Sequence, residues 1–306
     1  MPEKETLAGH GAALFSILVW GTTFISTKVL LRAFAPVEIL FLRFVLGFLA
    51  LALMCPRRLK LTDRRQELTF AAAGLCGVTL YFLLENIALT YTLASNVGVI
   101  VAVSPLFTAL ISRLMPEGEK LRPTFFAGLA AALGGVALIT WGGSAALELN
   151  PVGDLLALLA ALVWSLYSLL TRRIGGFGYS TVQSTRRIFL YGLVFMLPAL
   201  PLLGFRPDFA ALAQGVNLAN LLYLGLGASA LCFVTWNAAV GRLGAVKTSV
   251  YIFLVPVITV VTSAVVLHEP ITAAAVAGTA LTLAGLFLSQ YRPHAPQPRP
   301  APERAE

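Results

Sequence analysis

The chain reads as a train of apolar runs with almost nothing between them. Ten such runs follow one another, at about 10–31, 36–54, 68–90, 94–115, 122–141, 152–173, 180–203, 218–240, 245–267 and 271–291. A helix rises about 1.5 Å per residue, so about 20 residues cross the hydrocarbon core of a bilayer. The links are too short to hold a soluble domain. Of 306 residues, 58% are hydrophobic and 12% charged, where a soluble domain carries about 25% charged. The mean hydropathy is +0.84. No aqueous core could bury so much apolar surface, so the solvent is mainly lipid. The pattern predicts an all-α membrane protein with ten transmembrane helices.

The charges sort by side. Arg57, Arg58, Lys60, Arg64 and Arg65 crowd the link between the second and third runs. Placing that link in the cytoplasm puts Arg113, Lys120, Arg122, Arg172, Arg173, Arg186, Arg187, Arg242, Lys247 and the basic tail there too. Lys28, Arg32 and Arg206 fall on the far side, and Arg43 lies inside a run. The alternation holds across every connection and predicts cytoplasmic N and C termini. The net charge of +8 is thereby a topology signal, and no nucleic-acid partner is implied. The first apolar run follows Glu3, Lys4 and Glu5 and lacks a convincing cleavage site, so it reads as a span. The Pro-rich, charged stretch 292–306 reads as a disordered tail.

The sequence repeats itself. "LVWGTTFISTK" (18–28) matches "LVWSLYSLLTR" (162–172) at a shift of 144, laying Trp20 on Trp164 and Lys28 on Arg172. At a shift of 151, 81–112 lies over 232–263, with Asn86 on Asn237, Ala94 on Ala245 and Pro105 on Pro256. At a shift of 150, Glu119 meets Glu269 and Gly128 meets Gly278. Each copy holds five runs, and because five is odd the second enters the membrane inverted. The units are 1–143 and 150–291. Inverted repeats are a common plan of secondary transporters, with the substrate site near the midplane between them.

Two five-span copies, each with a leading "LVW", a proline in its fourth span and an acid before its fifth, resemble the drug/metabolite transporter superfamily. The likeness covers nearly the whole chain and is nearest the EamA-type branch. Within it, the chain is similar to the YddG-type bacterial exporters of aromatic and other amino acids. The resemblance implies a basket of ten helices working by alternating access. Helices one to four and six to nine would surround a central cavity, with five and ten outside. It also implies an inner-membrane location and a small-molecule substrate, namely amino acids and related amphipathic metabolites. A carrier of nucleotide sugars or sugar phosphates is the alternative, as is a channel.

Glu85 is the most conspicuous acid in any run. A charge in lipid costs roughly 3 kcal/mol on insertion scales, so it should face protein or a wet cavity. Tyr81, Glu85 and Ala88 share one helix face, with Asn86 turned away. Two roles are open: a cavity wall that attracts an ammonium group, or one partner of an interhelical pair with Arg43 or Lys28. Trp20 and Trp164 hold equivalent places, and Trp236 stands beside Asn237. With Tyr81, Tyr167 and Tyr251 they could form an aromatic lining for a ring or cation, or pack as ordinary core. Trp141 and Tyr291, at run ends, read as interface anchors. Pro105 and Pro256 should each kink a fourth helix and offer paired hinges. Small residues, Ala127, Ala131 and Gly135 in the fifth run and Ala280 and Ala284 in the tenth, suggest close packing faces, with homodimerisation as the second reading.

Enzyme chemistry is not indicated. "GRLGAVKTS" (241–249) brushes against a phosphate loop but puts Val246 where glycine is needed, and no strand precedes it. Lys247 is a topology marker or, by its resemblance to basic ligands of the sugar-phosphate branch, a group for a substrate carboxylate. His10, His268 and His294 fall at run ends or in the tail. Cys55, Cys76 and Cys232 show no metal or disulfide spacing. Neither a metal nor a cofactor is expected.

Overall fold

The computed structural model of the chain describes residues 2–91, 94–114, 122–141, 150–266 and 273–290. Glu119, Lys120, Ser144, Glu269, His268, His294, Tyr291 and the tail lie outside the described residues, as do the side chains of Lys28, Asn96 and Trp141. Every described element is helical. The first half holds α1 (Pro2–Leu30), α2 (Pro36–Met54), α3 (Arg65–Tyr91), α4 (Ala94–Val101 and Ser104–Leu114) and α5 (Pro123–Trp141). The second holds α6 (Pro151–Gly175), α7 (Thr181–Met196), α8 (Gly215–Leu243), α9 (Ala245–Ser249, Val250–Phe253 and Leu254–Val266) and α10 (Ala273–Gln290). By length and composition, five stretches among the described residues can cross a bilayer: Lys4–Thr27, Pro36–Met54, Arg65–Tyr91, Pro151–Gly175 and Gly215–Leu243.

Local chemistry starts these helices cleanly. α6 opens with Pro151, whose missing N–H is no loss in a first turn, and the Asn150 side chain accepts from the N–H groups of Val152 and Gly153 at 3.2 Å. Glu38 caps α2 by accepting from Ala35 N–H at 2.7 Å, while its other oxygen accepts from Arg206 N–H at 2.7 Å. That buried carboxylate thus ties the link between α7 and α8 to the start of α2.

Two departures from regular helix recur at equivalent places. α3 widens to a π-helix over Leu75–Leu80, and α8 does so over Tyr223–Leu231. The shift of 151 carries 75–80 onto 226–231, inside the second segment. α4 breaks at Ala102 and Val103, just before Pro105, and α9 runs as a 3₁₀ segment over Val250–Phe253, just before Pro256. Proline has no N–H for the carbonyl four residues back and crowds that turn, so the interruption falls one turn upstream. The expected distortion is therefore present at both prolines.

The packing between halves is paired in the same way. α2 meets α8 where Gly47 approaches Gly225, and α7 meets α3 where Gly192 approaches Gly74. α5 and α10 lie along one another and against α9, and neither lines the cavity. Their contact runs through Gly128, Ala132 and Gly135 against Gly278, Thr282 and Gly285, where a Cβ at Gly128 or Gly285 would come within 2.6 Å of backbone across the contact. Ala280 and Ala284 instead point outward, as does Ala127. Glycine lets backbones approach closer than alanine does, so the glycine faces take the contact. At the end that carries the link between α2 and α3, Arg187 pairs with Glu67 at 2.6 Å and donates to Leu59 O at 3.2 Å. Arg186 donates to Cys55 O and, at 2.7 Å, to Arg57 O. These arginines are clamps as well as charges.

Candidate functional site

A cavity of about 750 Å³, counting the space that opens to solvent, lies between the two halves. α1 lines it from Ile17 to Thr27 and α3 from Tyr81 to Leu89, so it lies towards the C-terminal ends of those helices. Arg43 of α2, Gly98 of α4, Trp164 of α6 and Ile252 of α9 complete the wall, and neither α5 nor α10 contributes.

The base is aromatic. Trp20 and Trp164 meet edge to face at 5.4 Å, and Tyr81 lies 4.7 Å from Trp164. Below them Trp236 sits 5.1 Å from Trp20 and Tyr167 sits 5.0 Å from Trp164, both fully buried. Edge-to-face rings at these distances add about 0.5–1.5 kcal/mol per pair beyond area burial. The Trp20 indole N–H donates to Ala228 O at 2.8 Å, within the π segment of α8. A π-turn shifts the carbonyl ladder and leaves acceptors without their usual partner. Trp20 takes up one of them, so the irregular backbone of α8 fixes the ring at the base.

Polar chemistry sits on the walls above. Tyr81 OH donates to Glu85 Oε1 at 3.1 Å, the contact that i, i+4 spacing predicts. Glu85 is 8% exposed and Arg43 4% exposed. Both face the cavity, yet among the described residues no ion pair joins them. Arg43 donates from Nε to Ser229 Oγ at 2.9 Å and lies 4.6 Å above the Phe82 ring. Asn86 makes one long contact, from Nδ2 to Pro36 O at 3.5 Å.

Of the residues singled out from sequence, Trp20, Tyr81, Glu85 and Trp164 come together on this cavity. Tyr167, Trp236 and Asn237 lie below its base. There Tyr167 OH donates to Asn237 Oδ1 at 2.8 Å, and Asn237 donates to Thr185 at 3.1 Å. Tyr251 accepts from or donates to His10 Nδ1 at 2.6 Å, outside the lining, and Lys247 lies on the same part of α9, also outside it. Pro105 and Pro256 are buried and belong to the helix interruptions described above. Sequence reasoning passed over Arg43, Asn86, Thr23 and Thr27 as lining residues. The available signal for Arg43 was its place inside an apolar run.

No group of three or more metal-ligating side chains occurs among the described residues. Rings at the base, with a carboxylate, a guanidinium and an amide on the walls, give the cavity both apolar and polar surfaces.

Comparison with known proteins points to a transporter. An uncharacterised transporter from Archaeoglobus fulgidus is 27% identical over 93% of this chain and 98% of its own length. A probable terminal-alkyne amino-acid exporter from Streptantibioticus cattleyicolor is 28% identical over 92% and 93% of the two chains. A probable amino-acid metabolite efflux pump from Salmonella typhimurium is 25% identical over 91% and 93%. A crystal structure superposes with a TM-score of 0.74 over 94% of this chain and 96% of its own, at 24% identity, a likeness of fold. The EamA-like transporter family matches residues 7–141 and again residues 151–291. With both halves of its length matched, the chain belongs to the EamA-like transporter family.

Proposed function

We propose that this transporter carries amino acids, aromatic ones included, out of the cell across the inner membrane by alternating access. The reading takes ten spans in two inverted repeats, 1–143 and 150–291, with both termini cytoplasmic. Under that orientation the cavity opens outward, and the ring stack at its base closes the cytoplasmic side. The observation that carries the reading is a buried carboxylate, Glu85, on the wall of a cavity floored by Trp20, Trp164 and Tyr81. An ammonium group leaving water needs a new partner or loses several kcal/mol, and a carboxylate in a low dielectric supplies it. The rings suit an aromatic or aliphatic side chain. Two relatives whose names speak of amino-acid export support the substrate class. The paired interruptions before Pro105 and Pro256 suit hinges that open opposite ends in turn.

Counterflow tests it. Proteoliposomes preloaded with L-phenylalanine should take up labelled phenylalanine faster than empty ones, and preloaded sugar phosphate should have no such effect. Uptake indifferent to preloading would favour a channel, and stimulation by sugar phosphate alone would favour the other carrier class. Cysteines placed at Arg58 and Arg173 should label from the cytoplasm and one at Asp208 from outside. Labels at Arg58 and Arg173 on opposite faces would sink the inverted topology.

A further inference from the structure

We infer that Arg43 is the carboxylate anchor of the transported solute, making the cavity selective for molecules that carry both charges of an α-amino acid. The inference rests on the amino-acid reading above and adds to it the second half of the recognition.

A guanidinium has five N–H donors in a planar fork. Arg43 commits one, from Nε to Ser229. Its plane is set on one side by the Phe82 ring at 4.6 Å, with Phe44 at 5.4 Å. Four donors then have no acceptor among the described residues, although the side chain is 4% exposed and lines the cavity. These donors are not sealed in the core, so they are open to a partner in the cavity. Were Arg43 simply the counter-ion of Glu85, the two should touch, because a direct pair is what offsets burial of both charges. They do not touch; each is held by its own neighbours, Glu85 by Tyr81 and Arg43 by Ser229 and Phe82. With no ion pair between them and both on one cavity, the acid and base can be bridged by a solute, its ammonium at Glu85 and its carboxylate at the fork of Arg43. Arginine suits that end, since its fork matches a carboxylate in two parallel bonds. A phosphate would also fit the fork but would meet Glu85 with like charge.

Three ligands of one ring size separate the two ends: L-phenylalanine, 3-phenylpropionate, which lacks the ammonium group, and phenethylamine, which lacks the carboxylate. Binding is followed by tryptophan fluorescence, since Trp20 and Trp164 line the site, and transport by uptake into proteoliposomes. Arg43→Gln should weaken phenylalanine and 3-phenylpropionate tenfold or more and move phenethylamine by less than twofold. Arg43→Lys should show the same ordering with smaller losses, and Ser229→Ala, which frees the fork to turn, smaller ones again. Glu85→Gln should give the mirror pattern. Equal losses for all three ligands in the Arg43 and Ser229 variants would overturn the inference and make Arg43 a structural cation. So would wild-type protein that binds neither carboxylate ligand. Should Arg43→Gln fail to elute as a monodisperse peak, the lysine and Ser229 variants carry the same test. If wild type binds phenylalanine in this pattern but never moves it, the carrier assignment fails and the anchor stands.

Discussion

At a shift of 151, Phe82, Glu85 and Asn86 of α3 fall on Phe233, Trp236 and Asn237 of α8. Both stretches follow a π segment, and both face the middle of the molecule. From that common start they diverge. Asn86 stands on the cavity wall with one contact at 3.5 Å, near the limit of a hydrogen bond. Asn237 is engaged at both ends of its amide, by Tyr167 at 2.8 Å and Thr185 at 3.1 Å. Where α3 offers a carboxylate, α8 offers a fully buried indole. The halves share a backbone plan and split the labour. In these two stretches, the first puts polar groups on the cavity wall and the second supplies buried packing beneath the base. Repeat symmetry therefore identifies equivalent positions without assigning equivalent roles; the helix packed against each position decides that.

The largest break in the comparison should come at the Glu85 and Trp236 pair. Trp236→Ala removes a ring packed among Trp20, Trp164 and other aromatics, and such truncations cost about 3–5 kcal/mol. We expect a large fall in the thermal unfolding temperature in detergent. Glu85→Gln keeps shape and loses charge, so its unfolding temperature should stay close to wild type while phenylalanine transport weakens. Comparable destabilisation in both variants would mean that Glu85 is structural and the proposed division of labour is wrong.

Next in size is Asn237→Leu. It leaves Tyr167 OH and Thr185, both fully buried, without their partner. Buried groups orphaned in this way cost about 1–3 kcal/mol. The same stability assay should show a drop smaller than that of Trp236→Ala but clearly resolved. An unchanged melting curve would show that Tyr167 and Thr185 find other partners.

The divergence also marks what could be read from residues alone. The i, i+4 spacing of Tyr81 and Glu85 is a local property, and the structure puts the phenol 3.1 Å from the carboxylate. Proline chemistry is local as well, hence the interruptions ahead of Pro105 and Pro256. The matching "LVW" segments pointed to Trp20 and Trp164 as a pair, and they meet at 5.4 Å. Arg43 was visible as a charge in an apolar run and as a candidate partner of Glu85, not as a lining residue. Its use depends on Ser229 of α8, 186 positions away. The π segments left no mark in apolar periodicity, because a one-residue widening changes which face follows without changing which residues are apolar. Sequence favours Asn237 over Asn86 as a substrate-binding residue, because nothing local reveals that Thr185 on α7 engages it from another helix. On α5 and α10 the small residues were legible, but the choice of glycine over alanine faces was not. Each chain of small residues runs round more than one side of its helix, and only the facing backbone selects between them.

The smallest expected effect on stability is at Asn86, and it is the most pointed test of the contrast. Its one contact, to Pro36 O, is at the outer edge of hydrogen-bond length. Interhelical hydrogen bonds measured in membranes average about 0.6 kcal/mol, and a bond this long should contribute less. The amide makes no other hydrogen bond among the described residues, so truncation there leaves only Pro36 O without its long contact. Asn86→Ala should therefore leave the unfolding temperature within about a degree of wild type, a shift worth well under 1 kcal/mol for a chain of this size. Because Asn86 adjoins Glu85 on the cavity wall, the same substitution should alter the apparent affinity for phenylalanine by a few-fold. The paired outcome matters more than either number. A stable Asn86 variant with altered transport, beside an Asn237 variant with lowered stability, would establish that one landmark residue serves solute in one half and fold in the other. Matching stability losses at the two asparagines would show both to be structural, and the polar wall would then reduce to Glu85 and Arg43.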